Sequence, residues 1–464
     1  MIGIDPELVD PEGGDFRLQP GSPAVGYGCQ TFGSGPMPAP EASGIDRFTA
    51  RPVHRALEVS GPVTTDTVWD ADTVRVLGDV SVAEGVTLTV PAGVHVEFSD
   101  YYALTISGRL LARGEPNRRI RFTSRDPASF AIDSTLAGAW GGIRFPFTSE
   151  VNGVSILEYC VIEFAKNAGD SLRGGGLQLN GFSKLRVVNS ILRRNVADFG
   201  GAVGCTHGAA PEFVGCLITE NRAFNGGSAV HCADAYPRFI NCTIVGNEDL
   251  NSQILDPAAA IYAHLSKPHL TSCILRDNPS LYFEPTQILY GKGYYTTWSN
   301  IELAWPGLGN IDADARFAGY GDHPYRLMAD SPCIDAGLPD TTGTHLPSLD
   351  LGGGGRLLDG RVDMGAYEGG VALSEASAAG VPSPLRVGYG LEGVSIGFDL
   401  EAPQSVRLAI LDSSGRLISL LADGRFPPGS RQLVWAHEGI PAGVYFANLA
   451  VPTRAVSRKI VIAP

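Results

Sequence analysis

The sequence predicts an all-β protein: a right-handed parallel β-helix followed by a small Ig-like β-sandwich. Three observations carry this prediction. A unit of about 26 residues recurs through the middle of the chain. Each unit holds three short strand patterns and no helical one. The last ~80 residues alternate apolar and polar positions between turn signals, as a sandwich of about seven strands does.

The repeat is clearest in five segments: Tyr159–Glu163, Asn189–Arg193, Gly215–Thr219, Asn241–Val245 and Ser272–Arg276. In each, a small residue precedes a β-branched or aliphatic pair. The small residues are Cys160, Ser190, Cys216, Cys242 and Cys273, at steps of 30, 26, 26 and 31 residues. Each segment then reaches an asparagine: Asn167, Asn195, Asn221, Asn247 and Asn278. A second strand pattern precedes the later four: Gly175–Leu179, Gly201–Cys205, Ser228–Cys232 and Ala260–His264. A third lies between, as in Leu185–Val188 or Pro237–Ile240. Three strands and three turns per unit describe one coil of a β-helix.

Coil stacking explains the residue choices. Successive coils lie about 4.8 Å apart, so equivalent positions sit directly above one another. Inward positions must be small or aliphatic, and cysteine behaves there as a small hydrophobe. Asparagine at a sharp turn tolerates left-handed backbone and can bond to the asparagine of the next coil. The pairs Gly200-Gly201 and Gly226-Gly227 give similar freedom at another corner.

Alternating strands continue upstream through Val74–Val82, Val86–Val90, Val94–Phe98, Leu104–Ala112 and Ile120–Ser124, and Trp140-Gly141-Gly142-Ile143 leads into the regular coils. They predict first coils and an end cap, which a stack needs against edge-to-edge association. This entry, with the coils after it, resembles bacterial secreted right-handed β-helix proteins of the pectate-lyase-like superfamily over residues 61–310. Asp330-Ser331-Pro332-Cys333-Ile334-Asp335-Ala336-Gly337 and Asp363-Met364-Gly365-Ala366-Tyr367-Glu368 resemble the closing motif that follows such helices in surface-anchored bacterial proteins. On that resemblance, Asp312–Glu368 caps the C-terminal end of the stack. Asp5–Asp10 and Asp15–Ala24 match the first half of the same motif. The expectation is a chain that preserves part of a longer array, with a signal peptide upstream of Met1.

The tail resembles the Ig-like modules at the C-termini of secreted bacterial proteins, of the hook-capping and type IX sorting types. The matching residues are Pro382-Ser383-Pro384, Leu411–Arg416, Trp435, Ala442–Phe446 and Arg458–Ile462. The turn Ala436–Gly439 is shorter than the family's. The expected organisation is then a closing remnant and linker at 1–50, the β-helix at 51–310, its closing segment at 311–371, a linker at 372–383 and the sandwich at 384–464.

Composition narrows the function. The 464 residues include 58 glycines and 18% charged residues, with a net charge of −14. That fits a turn-rich β protein and argues against nucleic-acid partners, because no basic stripe can neutralise phosphates. No apolar run approaches the ~20 residues of a transmembrane helix. The eight cysteines include no Cys-x-x-Cys pair, so neither a metal nor a cofactor is expected. Cys160, Cys216, Cys242 and Cys273 read as stacked inward thiols, with disulfides or metal ligation as the alternatives. Cys205 and Cys232, 27 residues apart, read the same way, although stacked sulfurs could oxidise if the geometry allowed. Cys29 and Cys333 lie in matching motifs and cannot be paired from sequence.

Catalysis on a β-helix needs clustered carboxylates, for calcium or for glycoside hydrolysis. No such cluster is evident, and no catalytic residue is assigned. The residual candidates are His207, His231 and Asp234, with Asp198 and Glu220; the competing reading makes them polar turn residues on a solvated face. His207 and Asp234 fall 27 residues apart, about one coil. Trp140, Trp298 and Trp305 suit either core and cap packing or a sugar-stacking platform. The resemblance therefore implies an extracellular or bacterial cell-surface scaffold, monomeric, that binds a polysaccharide or a surface protein and is exported through its C-terminal module. The alternative is a polysaccharide lyase or glycoside hydrolase acting on an acidic polysaccharide.

Overall fold

The computed structural model describes two strands near the start, Leu8–Asp10 and Asp15–Leu18. It also describes 56–370, apart from 134, 148, 150, 168–172, 251–258, 280–285, 290–294, 320–322 and 359, and the strands and most turns of 385–462. Met1–Val53 and His54–Pro464 are two units. In the first, the two strands pair antiparallel; Cys29 lies outside the described residues, as does the linker expected at 372–383. No helix among the described residues is long and apolar enough to cross a membrane.

One coil shows how the second unit is built. Leu177–Asn180, Leu185–Val188 and Ile191–Arg193 are its three strands, and Val196–Ala197 is a short fourth. Each pairs in parallel with the equivalent strand of the next coil: Leu177 with Val203, Val187 with Phe213, Leu192 with Ile218 and Val196 with Arg222. Every one of these steps is 26 residues (203 − 177, 213 − 187, 218 − 192, 222 − 196). The sequence period is therefore the contour of one coil. The pairing runs from Ala56–Val63 to Asn300–Ile301, and the crossovers take the right-handed sense of parallel connections. The chain is the right-handed parallel β-helix that its repeat predicts.

The tube is filled by columns of side chains, one per coil. Leu177, Val203, Val230 and Ile261 form one, and all are fully buried. Cys160, Cys216, Cys242 and Cys273 form part of another and are free thiols with no exposure. The thiols of Cys216, Cys242 and Cys273 donate to main-chain carbonyls of the preceding coil, Val187, Phe213 and Phe239, at 3.3, 3.5 and 3.3 Å. Burial holds the Cys160 thiol protonated, far above its usual range. Ser190 occupies the same column, and its hydroxyl oxygen accepts the Cys160 N–H at 2.9 Å.

The asparagines form a continuous hydrogen-bonded ladder. The Nδ2 of Asn195 donates to Oδ1 of Asn221, that of Asn221 to Asn247 and that of Asn247 to Asn278, each at 2.9 Å. Each Oδ1 also accepts a main-chain N–H from the coil before, beginning with Ala165 to Asn195 at 3.0 Å. Two expectations are corrected here. Asn167 is not a rung, because Ala165 holds that position and Asn167 pairs with Ala197 instead. Nor are the rungs left-handed: the residue before each takes that conformation, with φ of 55° at Arg194, 57° at Glu220, 67° at Gly246 and 54° at Asp277.

A third correction concerns the closing segment. The last coil is covered by residues 302–311, where Trp298 N–H donates to Leu308 O and Ile311 N–H to Ser299 O. The stretch from Asp312 to Glu368 instead lies along the side of the stack. The outward face there is apolar: Leu217 and Val245 pack with Leu351, Ala366 and Tyr367. Ile274 packs with Ala315, Leu327, Cys333 and Met364. One corner residue per coil holds this strap. The hydroxyl of Tyr159 donates to Asp350 O at 2.9 Å, and Nδ2 of Asn189 to Leu349 O at 2.9 Å. Nδ2 of Asn241 donates to Asp363 O at 2.7 Å, and Oγ of Ser272 accepts Leu338 N–H at 2.8 Å. At the remaining coil the corner is Gly215, where a Cβ would stand 2.9 Å from Nη2 of Arg356 and collide with Asn189. Arg356, 2% exposed, crosses at that gap and donates to the carbonyls of Gly365 and Ala366 at 3.2 and 2.8 Å.

The tail is a two-sheet sandwich. Arg386–Gly390, Gly393–Leu400 and Gly429–Trp435 form one antiparallel sheet. Leu417–Phe426, Gln404–Asp412, Gly443–Val451 and Arg454–Ile462 form the other. Their inward residues, among them Ile396, Phe398, Leu408, Ile410 and Leu449, share one core. The hydroxyl of Tyr445 donates to Pro441 O at 2.8 Å, the bond that fastens a corner of Ig-type sandwiches.

The ladder yields a direct prediction. In Asn221→Leu, the buried N–H of Asn195 and one of its two Nδ2 protons lose their acceptor, while the other Nδ2 proton keeps Ile162 O. Each orphaned group costs about 1–3 kcal/mol, so urea unfolding is expected to show a loss of at least ~2 kcal/mol. A loss below about 0.5 kcal/mol contradicts the ladder's role.

Candidate functional site

The structure separates the sequence-predicted candidates. His207 and Asp234 do stack on adjacent coils, since Gly208 N–H donates to Asp234 O at 2.5 Å. Both, however, are exposed corner residues in left-handed conformation, with φ of 53° and 50°, in one column with Gly181 and Leu265. Their place is that of turn residues. Glu220 is at the asparagine corner and pairs with Arg194 at 2.6 Å. Asp198 ends the short fourth strand region, its N–H donating to Asn167 O at 3.2 Å. His231 alone lies on a sheet face, between Gly204 and Tyr262 in register.

Around His231 the chain builds a compact aromatic and cationic group. Its ring stacks on Tyr262, with centroids 5.2 Å apart and planes 10° from parallel, and meets Phe199 edge-on at 5.1 Å. Phe199 lies 6.4 Å from Tyr262. The Arg173 guanidinium sits 5.9 Å from the Phe199 ring centre. Arg173 comes this close because Gly204 has no side chain: a Cβ there would stand 2.6 Å from the Arg173 carbonyl oxygen. Arg173, Phe199 and Tyr262 are each half-buried and so offer surface to a ligand. The same outward column continues to Gln178 and Arg144, and near Arg144 lies Tyr101, whose hydroxyl donates to Lys166 O at 3.0 Å.

The electrostatics decide what His231 can do. It is 2% exposed, and its Nδ1 meets no hydrogen-bond partner among the described residues. Burial first, then Arg173 and His264, push its pKa down to about 3. The imidazole is therefore neutral at neutral pH. A base that weak is badly matched to proton abstraction, which favours a group near pH 7. The neutral ring is suited to hydrogen bonding and stacking. Burial also lowers the pKa of Arg173, with Tyr262 opposing. Among the described residues, no group of three or more His, Cys, Asp or Glu side chains is placed to hold a metal ion.

The tryptophans divide between core and cap. Trp140 is fully buried, stacks on Phe98 at 4.1 Å and donates Nε1–H to Glu163 O at 2.8 Å. Arg361 lies over Trp298 at 4.7 Å, and Gly309 abuts that ring. Trp305 packs against the tube's core. They form no shared platform. The flat surface comes from Phe199 and Tyr262, which the sequence reading missed along with Arg173. Writing the coils in register would have found Tyr262, which follows His231 by one 31-residue coil in the outward column (262 − 231).

The depressed pKa of His231 makes stability depend on pH. The unfolded imidazole takes its proton near pH 6.5 and the folded one only near pH 3. Between these values the unfolded state binds the proton and the folded state does not. Stability present above pH 6.5 is thus lost as pH falls toward 3. Urea midpoints at about pH 7 and about pH 4.5 are expected to fall further in the wild type than in His231→Gln; equal falls contradict the assignment.

No protein-family model and no curated protein sequence matches the chain. Among solved structures, the crystal structure of pectate lyase Pel9A is similar at 14% identity and a TM-score of 0.37, over 67% of this chain and 86% of that one. So distant a likeness says nothing of activity, and the parallel β-helix rests on this chain's own strand registers.

Proposed function

We propose that the protein is a β-helix scaffold that holds a polysaccharide on the sheet face around His231 without cleaving it. The observation that carries this reading is the half-buried group of Phe199, Tyr262 and the Arg173 guanidinium gathered over the buried His231 ring. Aromatic rings offer flat apolar area to the C–H faces of a sugar, and a guanidinium suits a carboxylate or hydroxyl pair. Export to the cell surface through the C-terminal module belongs to the same proposal and is supported by the sorting-type residues of the tail.

The test is retention and turnover on polygalacturonate, alginate and a neutral glucan. Retention is expected on at least one polymer, with no new reducing ends or unsaturated sugars. Arg173→Ala and Tyr262→Ala are each expected to weaken it about tenfold or more. Cleavage abolished by His231→Ala would establish the lyase or hydrolase reading instead, and no retention on any polymer rejects the site.

A further inference from the structure

A second pair of residues carries chemistry independent of any ligand. Cys205 and Cys232 are Cα partners on adjacent coils. Both side chains are fully buried inside the tube. Their column runs Phe145, Leu179, Cys205, Cys232 and Ala263, so each cysteine has one sulfur neighbour in that column and apolar groups beyond. Partners in a parallel ladder lie about 4.8 Å apart, within the 4.4–6.8 Å Cα separation a disulfide accepts. The other cysteine column also brings sulfurs together, Cys216 beside Cys242 and Cys242 beside Cys273, but its thiols have main-chain partners as well. There, the thiols of Cys160, Cys216, Cys242 and Cys273 lie within reach of the main-chain carbonyl two residues earlier and of one in the coil before. Cys205 and Cys232 face one another in register, and each thiol's neighbour in the column is the other's sulfur.

We infer that Cys205 and Cys232 are a disulfide-forming pair, closed when the chain folds against a disulfide oxidant. The two thiols lose two protons and two electrons and gain one S–S bond; a small-molecule disulfide is reduced to two thiols. Folded burial leaves no path for an oxidant, so the bond forms while the coils are still stacking. It then fastens two coils of the tube beneath the His231 face, since His231 and Gly204 are the adjacent partners in the same strands. Oxidising compartments, where exported chains fold, favour this chemistry. The stability gain comes from the loop of 27 residues (232 − 205) that the bond closes.

The experiment refolds the denatured full chain in oxidised and reduced glutathione, blocks free thiols and maps peptides without reduction. The expected product links Cys205 to Cys232, with a melting temperature several degrees above that of the reduced protein. Cys216→Ser should keep the link, and Cys205→Ser should lose both link and shift. Adding oxidised glutathione to already folded, reduced protein should form the bond at least tenfold more slowly. A refolded chain whose thiols at 205 and 232 both remain free, or whose disulfides join other cysteines, overturns the inference. Cys232→Ala provides a second variant, and its far-UV spectrum shows whether loss of the link reflects misfolding.

Discussion

The structure depends on one constraint: each coil must lie in register on the next. Register makes every position meet its own counterpart one coil away. A residue that can be both donor and acceptor toward a copy of itself is then favoured, and asparagine qualifies. Asn195, Asn221, Asn247 and Asn278 pass the same amide bond along the stack. The series ends on Gln287, which accepts from Asn278 at 2.8 Å and donates to Glu302 at 2.8 Å. Slipping one coil by a residue would strand several buried amides at once, each at about 1–3 kcal/mol. The ladder therefore specifies register as well as adding stability.

Register also divides the outer surface. Where the outward columns are apolar, as at Leu217, Val245 and Ile274, the stack needs a cover, and the strap from Asp312 to Glu368 supplies it. The strap has little regular structure of its own, so its position comes from the corners it touches. Tyr159, Asn189, Gly215, Asn241 and Ser272 present a phenol, two amides, a gap and a hydroxyl, and the strap answers with three carbonyls, an arginine side chain and an N–H. The face bearing His231 has rings and a guanidinium in place of aliphatic residues. Its half-buried residues make it the surface we propose for a ligand.

Much of the fold was legible because stacking writes contacts into the sequence as a period. The cysteine and serine column and four of the five asparagines followed from spacing alone. Asn167 misled because it is an asparagine at nearly the right place. Counting back the 30-residue step from Cys160 to Ser190 leads from Asn195 to Ala165, the true rung position. The lateral strap was not legible, since its corner hydrogen bonds join residues 66 to 191 positions apart and have no period. The site was half legible. His231 stood out by residue type, but Arg173 and Phe199 lie outside the strands, joined to each other by an isolated parallel bridge, and Gly204 offers no side chain to notice. Its role is to let the Arg173 main chain approach the sheet.

The most direct measurement of the stacked register is hydrogen exchange at the side-chain amides, followed by nuclear magnetic resonance on selectively asparagine-labelled protein. The account predicts that the Nδ2 protons of Asn195, Asn221, Asn247 and Asn278 exchange orders of magnitude more slowly than that of Asn448, which bonds Ser457 in an exposed setting. Exchange of the four ladder amides at the rate of Asn448 would contradict the coil register from which the rest of the structure follows.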